Sequence, residues 1–188
     1  MAACRKLSLF DNAMAMGGSE LVTGTPTVIS AAIYFEELPT REALESLVRD
    51  RLLRNDVLSG RPESGVWQPT EEFDMERHVM YHEVAGEVEL DSFIQTHATE
   101  PLLNRDEGPW WEMHAVSTFE AGARELLLFR IEHACADGIA LFQLLNQIAT
   151  TEDGQQMPLA VYRKPPIATD RKPDPCTALC QFVSSFLK

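Results

Sequence analysis

The sequence predicts an α/β fold, a mixed sheet flanked by helices, on three observations. Short apolar runs of strand length interleave with segments whose apolar residues recur at helical spacing. The 188 residues, 45% of them hydrophobic, suffice for one sizeable core. No internal repeat breaks the pattern, and periodicity is lost only after Gly154.

The elements follow in order. Residues 17–26 are small and turn-prone and read as a loop. Thr27 to Phe35 is partly β-branched and bounded by turn residues, and reads as a buried strand. Pro39-Thr40 then opens a helix, because a Thr40 hydroxyl can accept a free backbone N–H and Glu42 suits the positive helix end. Leu44, Leu47, Val48 and Leu52 form its apolar face. Asn55 to Pro69 reads as loop, with Trp67 packing back as an anchor. Arg77 to Val84 alternates, which places His78, Met80, His82 and Val84 on one face of a strand. Leu90 to Thr99 suits a helix capped by Asp91 or a neighbour.

Trp111 to Val116 reads as a strand, and Glu125 to His133 as a near-continuous apolar strand buried on both faces. Ile139 to Ile148 follows as a helix with a stripe of Leu141, Leu144, Leu145 and Ile148. Pro158, Pro165, Pro166, Pro173 and Pro175 mark an extended linker, and Ala178 to Leu187 a short amphipathic helix. Residues 1–154 thus form one folded unit, and residues 155–188 a proline-rich linker and the start of a further part.

Composition excludes several functions. A net charge of −13 repels a phosphate backbone, and Arg163-Lys164 and Arg171-Lys172 are broken up by prolines, so no nucleic-acid partner is expected. Cys4, Cys135, Cys176 and Cys180 make no CxxC pair. His78 and His82 stand too far apart on a strand to share an ion, and His97 and His114 have no partner in sequence. No metal or bound cofactor is expected. No apolar run is long enough to span a bilayer, and the start of the chain lacks a secretory signal. A cytoplasmic protein, at most peripheral to a membrane, is expected.

The informative segment is Glu132-His133-Ala134-Cys135-Ala136-Asp137-Gly138, where a strand meets a helix. A side chain at a strand end is held rigidly beside a cleft, and imidazole suits proton abstraction near neutral pH. Asp137 can hydrogen-bond within the turn or pair with an arginine, and Gly138 permits a backbone conformation closed to other residues. On these residues alone, His133 is either a general base or a structural histidine in an ordinary Asp-Gly turn.

A resemblance bears on that choice. The segment is similar to the HHxxxDG turn of chloramphenicol acetyltransferase-like acyltransferases, a superfamily that includes peptide-synthetase condensation domains. The chain resembles one branch over more of its length, the wax ester synthase/diacylglycerol acyltransferases. Leu7-Ser8-Leu9-Phe10-Asp11 looks like their LSxxD segment, and Trp67 with Phe73-Asp74 like their tryptophan and FD pair. Pro101-Leu102 and Pro109-Trp110-Trp111-Glu112 look like their PL…RPLWE segment. All occur in family order.

The resemblance implies the amino-terminal half of a CoA-dependent acyltransferase-like fold, with residues 1–154 as the acyltransferase subdomain. It implies acyl-CoA as co-substrate, and transfer of a long-chain acyl group to a fatty alcohol or diacylglycerol. The product would be a wax ester or triacylglycerol, made at a membrane or lipid-droplet surface. His133, Asp137 and Gly138 are the implied catalytic set, with His133 as base. It also implies a complementary carboxy-terminal half, without which little activity is expected.

Three departures stand out. Glu132 replaces the first motif histidine, Leu9 replaces the proline of LSP, and Leu103 to Gly108 is an insertion. Strand alternation should turn Glu132 away from His133, with Arg130 on the same face as its expected partner. Two further readings follow: an inactive truncated homologue that binds a partner chain, and a condensation-type domain acting on carrier-protein thioesters.

Overall fold

The computed structural model describes residues 6, 7, 15, 28–70, 72–98, 100–103, 105, 108–136, 140, 141, 143 and 144. The Asp11, Asp137 and Gly138 positions, the linker, and the amphipathic segment of residues 178–187 lie outside the described residues.

The first strand, β1 (Val28–Phe35), falls where its β-branched run predicts, but it lies at the sheet edge and is half-buried rather than buried, with Ala32 and Tyr34 exposed. Helix α1 (Arg41–Asp50) starts as expected, with the Thr40 hydroxyl accepting the Ala43 N–H and Glu42 in the first turn. Its Leu44 and Val48 are buried, and Leu52 follows in a single 3₁₀ turn.

The next stretch is not all loop. Gly60–Glu63 (β2) and Val66–Pro69 (β3) pair as an antiparallel hairpin with Glu63 opposite Val66. Its two linking residues, Ser64 and Gly65, both have positive φ, 52° and 80°. That backbone matches the right-handed twist of the flanking strands, and glycine adopts it without steric cost. Trp67 is buried as expected.

The strand expected from Arg77 begins two residues later. Asp74 accepts the N–H groups of Glu76 and Arg77, which caps a short helix α2 (Met75–His78), and β4 (Val79–Val84) follows. His78 therefore leaves the alternation, while Met80, His82 and Val84 keep it. Helix α3 (Glu87–His97) begins before the expected position, at Gly86 rather than Asp91, with no side-chain cap. Its first turn instead carries Glu87 and Glu89, whose charges suit the positive helix end.

Strands β5 (Trp111–Thr118) and β6 (Glu125–Glu132) complete a four-stranded sheet of order β1-β6-β5-β4. β6 is antiparallel to both neighbours, and β4 and β5 are parallel, joined by α3. Every β6 residue after Glu125 is buried, as its apolar run predicts. Residues 140, 141, 143 and 144 are helical, with Leu141 and Leu144 buried.

Register sorts the sheet into two faces. One carries Ile29, Val79, Trp111, Met113, Phe129 and Ile131 against Leu44, Val48, Leu141 and Leu144. The other carries Val116, Leu126 and Leu128 against Leu90, Phe93 and Ile94 of α3.

Candidate functional site

His133 is the first residue past β6, at the end of a strand with partners on both sides. The turn is anchored at two points. Glu132 N–H donates to the Trp110 carbonyl (2.9 Å), and Cys135 N–H donates to the Glu132 carbonyl (2.8 Å). Ala134 packs with Leu102 and Trp110, and the Trp110 indole N–H donates to the Arg105 carbonyl (2.7 Å). His133 is half-buried, with Nδ1 shielded from solvent. The strand end and these turn hydrogen bonds anchor the backbone on both sides of His133. Asp137 and Gly138 lie outside the described residues, so of the expected set the structure positions His133.

On the α1 side of the sheet an open cleft of about 200 Å³ is lined by Leu58, Ile131, Cys135, Ala136 and Leu144 among others. Asn55 and Gln143 add polar groups to its walls, and His133 is not among the lining residues.

The opposite face holds a feature that the sequence reading missed. Glu112, His114, Arg130 and Glu132 are each at most 1% exposed. Glu112 lies directly across from Arg130. Its carboxylate accepts from the Arg130 guanidinium, from His114 Nε2 (3.1 Å) and from the Leu103 N–H (3.0 Å). Arg130 donates in addition to the Glu100 carbonyl. Arg130 is thus paired with Glu112, not with Glu132 as expected. Register explains this, because opposite residues on adjacent strands are closer than residues two apart on one strand. Burial acts to raise the Glu112 pKa, but the His114 and Leu103 hydrogen bonds and the Arg130 charge outweigh it, so its carboxyl is held below the usual range.

The line continues onto β4. His114 Nδ1 and His82 Nε2 stand 3.1 Å apart. Since His114 donates from Nε2 to Glu112, a neutral His114 accepts at Nδ1, and His82 is the donor. Burial, and then the neighbouring His114 and His97, push the His82 pKa down to about 4. His97 and Phe93 of α3 close over this pair, with His97 Nδ1 donating to the Phe93 carbonyl (2.9 Å). His97 and His114, expected to stand alone, are therefore neighbours. His78 belongs elsewhere: it packs against Phe73 and Trp111, which also touch each other, and donates from Nδ1 to the Trp111 carbonyl (2.7 Å). Burial lowers its pKa.

One signal for the polar line was available. Glu112 and His114 alternate on one strand, and Arg130 and Glu132 on the next, so each pair shares a face. Which faces meet is a matter of register.

A mixed sheet of this order, with a strand-to-helix turn at the end of a central strand, is the fold of condensation domains. The starter condensation domain of rhizomide synthetase, solved in complex with C8-CoA, is similar with a TM-score of 0.60 and 13% identity, covering 79% of this chain and 35% of that one. The first condensation domain of the calcium-dependent antibiotic synthetase, solved with a substrate analogue, gives a TM-score of 0.58 and 14% identity over 85% of this chain and 41% of that one. The chain thus spans well under half the length of these solved relatives. The family model of the wax ester synthase/diacylglycerol acyltransferase catalytic domain matches residues 6–185, and the chain belongs to that family. No curated protein matches the sequence. Among the described residues no helix is long and apolar enough to cross a membrane.

Proposed function

We propose that this chain is the amino-terminal half of an acyl-CoA-dependent O-acyltransferase. It passes a long-chain acyl group to a fatty alcohol or to the free hydroxyl of diacylglycerol, giving a wax ester or triacylglycerol. The family match over residues 6–185 carries the reading. The anchored backbone on both sides of His133 at the end of β6 supports it.

His133 removes the hydroxyl proton of the alcohol as its oxygen attacks the thioester carbonyl. The carbon–sulfur bond breaks and CoA leaves as its thiol, taking up the proton, without a covalent acyl-enzyme. Proton transfer of this kind is worth roughly 10²–10⁴-fold in rate. Positioning of the two substrates and stabilisation of the oxyanion supply most of the rest. Asp137 holds the turn that aims His133, and Gly138 gives the turn its backbone freedom. A complementary carboxy-terminal half closes the acyl-CoA channel and keeps water from the thioester. The lipid acceptors place the reaction at a membrane or droplet surface, with the protein bound peripherally.

The competing reading is an inactive homologue that binds a partner chain. Glu132 favours it, since a carboxylate is buried where the resembling families carry histidine.

Release of free CoA from a long-chain acyl-CoA, with fatty alcohol or diacylglycerol as acceptor, separates the two. The chain is assayed alone and fused to a family carboxy-terminal half, each with a His133→Ala control. Acceptor-dependent release in the fusion, reduced at least about 10²-fold by His133→Ala, is the expected result. A folded fusion that releases no CoA would sink the catalytic reading and leave the partner-binding domain.

A further inference from the structure

The buried charges Glu112 on β5 and Arg130 on β6 take no part in the acyl-transfer chemistry as written above. We propose that Glu112 and Arg130 are positioning residues for His133: they clasp the connection from α3 to β5, and that connection seats the His133 turn. The role of His133 rests on the acyl-transfer reading, whereas the clasp stands on the contacts alone.

Arg130 gives one guanidinium nitrogen to Glu112 and the other to the Glu100 carbonyl. Glu112 takes Arg130 on one carboxylate oxygen and the Leu103 N–H (3.0 Å) on the other. The two charges thus grip the connection on either side of Leu102. Leu103 is 73% exposed, so its side chain adds little burial that would fix its backbone there. Leu102 is buried and packs with Trp110 and with Ala134, the residue after His133. The Trp110 carbonyl accepts the N–H of Glu132, the residue before His133 (2.9 Å). The Trp110 indole donates back to the Arg105 carbonyl within the same connection (2.7 Å). His133 therefore lies between two residues that both bear on the clasped connection.

Stability alone does not account for the pair. Well-packed apolar residues of similar volume often stabilise a buried position as well as an ion pair does. Apolar side chains have no hydrogen-bonding direction, so they cannot hold a carbonyl and an N–H of another segment in place. Paired charges can, and separating them leaves each one buried and uncompensated, so the clasp resists opening. Such precision matters for a base, since a displacement of about 1 Å can cost on the order of 10²-fold in rate.

Amide hydrogen exchange of the full chain tests the clasp, comparing the parent with Glu112→Leu/Arg130→Met, which leaves neither charge behind. Exchange at Leu103, Glu132 and Cys135 should quicken at least about tenfold, while Leu127 and Phe129 in the middle of β6 keep the parent's rates. Should the double variant not fold, Glu112→Gln, which keeps the shape and loses the charge, is read in the same way. Quickening that is uniform along β6, or absent at Glu132 and Cys135, overturns the clasp. Acyl transfer is then measured in the fusion to a family carboxy-terminal half. There the variant should lower kcat about ten- to a hundredfold with KM for acyl-CoA unchanged. In a His133→Ala background it should cost less than about threefold more, because it acts through that imidazole. Equal losses with and without His133 overturn the positioning role. A parent fusion that releases no CoA ends the acyl-transfer reading and the positioning role with it, while exchange still decides the clasp.

Discussion

On the α1 face of the sheet, Val79, Trp111, Met113, Phe129 and Ile131 meet Leu44 and Val48, and every one is apolar. On the α3 face, Val116, Leu126 and Leu128 share the same two strands with Glu112, His114, Arg130 and Glu132, all buried. The first face is held by area removed from water, on the order of 1.5–3 kcal/mol for each large side chain. It has no preferred partners beyond fit. The second face must satisfy each polar group individually, because a buried group without a partner costs more than its hydrogen bond returns. Area tolerates substitution by degrees, whereas a buried polar line fails at any one member. The difference also lets pH act on the second face through His82.

The largest expected effect breaks that line. Glu112→Ala leaves the Arg130 guanidinium buried without its carboxylate and should cost about 3–5 kcal/mol in urea unfolding. A double variant, Glu112→Leu with Arg130→Met, should be less destabilised than Glu112→Ala, because no charge remains uncompensated. A double variant worse than the single one would mean that the ion pair itself, rather than its satisfaction, stabilises the face.

On the apolar face, Leu44→Ala should cost about 2–5 kcal/mol through lost burial and the cavity left behind. Its cost should be the same at pH 7 and pH 5, which sharpens the contrast.

On the α3 face His82 makes stability depend on pH. His82 has its pKa lowered from 6.5 to about 4 in the folded chain. Between those values the unfolded chain binds the proton and the folded chain does not. His82 therefore leaves stability unchanged above pH 6.5 and lowers it as pH falls toward about 4. Buried His78, also lowered, acts in the same direction. His82→Asn should flatten the fall in Tm between pH 7 and pH 4.5 relative to the parent. An unchanged slope would show that His82 does not carry it.

The smallest effect is a local one at the start of α1. Thr40→Ala removes the cap of α1 and should cost about 1 kcal/mol, measured by urea midpoint.

Much of this architecture was legible in the residues. The run Thr27–Phe35, the Thr40 cap, the apolar run after Glu125 and the family-like segments around Trp111 and His133 each carry a local signal, and each falls in place. The misses have local causes too. The β2–β3 hairpin was hidden because Gly60–Glu63 is short and contains Pro62, although Ser64-Gly65 is a turn dipeptide. His78 was assigned to a strand because alternation ignores the Asp74 cap that bends it into α2. Helix α3 starts without a capping side chain, so its first turn was marked by the Glu87 and Glu89 charges alone.

Hydrophobic spacing, caps and the order of short motifs are properties of neighbouring residues. They suffice for the α/β class, the position of His133 beside a turn, and the family. Whether Arg130 finds Glu112 or Glu132, and whether His82, His97 and His114 meet, depends on strand order and register. Those follow from packing summed over the whole sheet, between residues tens of positions apart, and no local pattern in the chain records them.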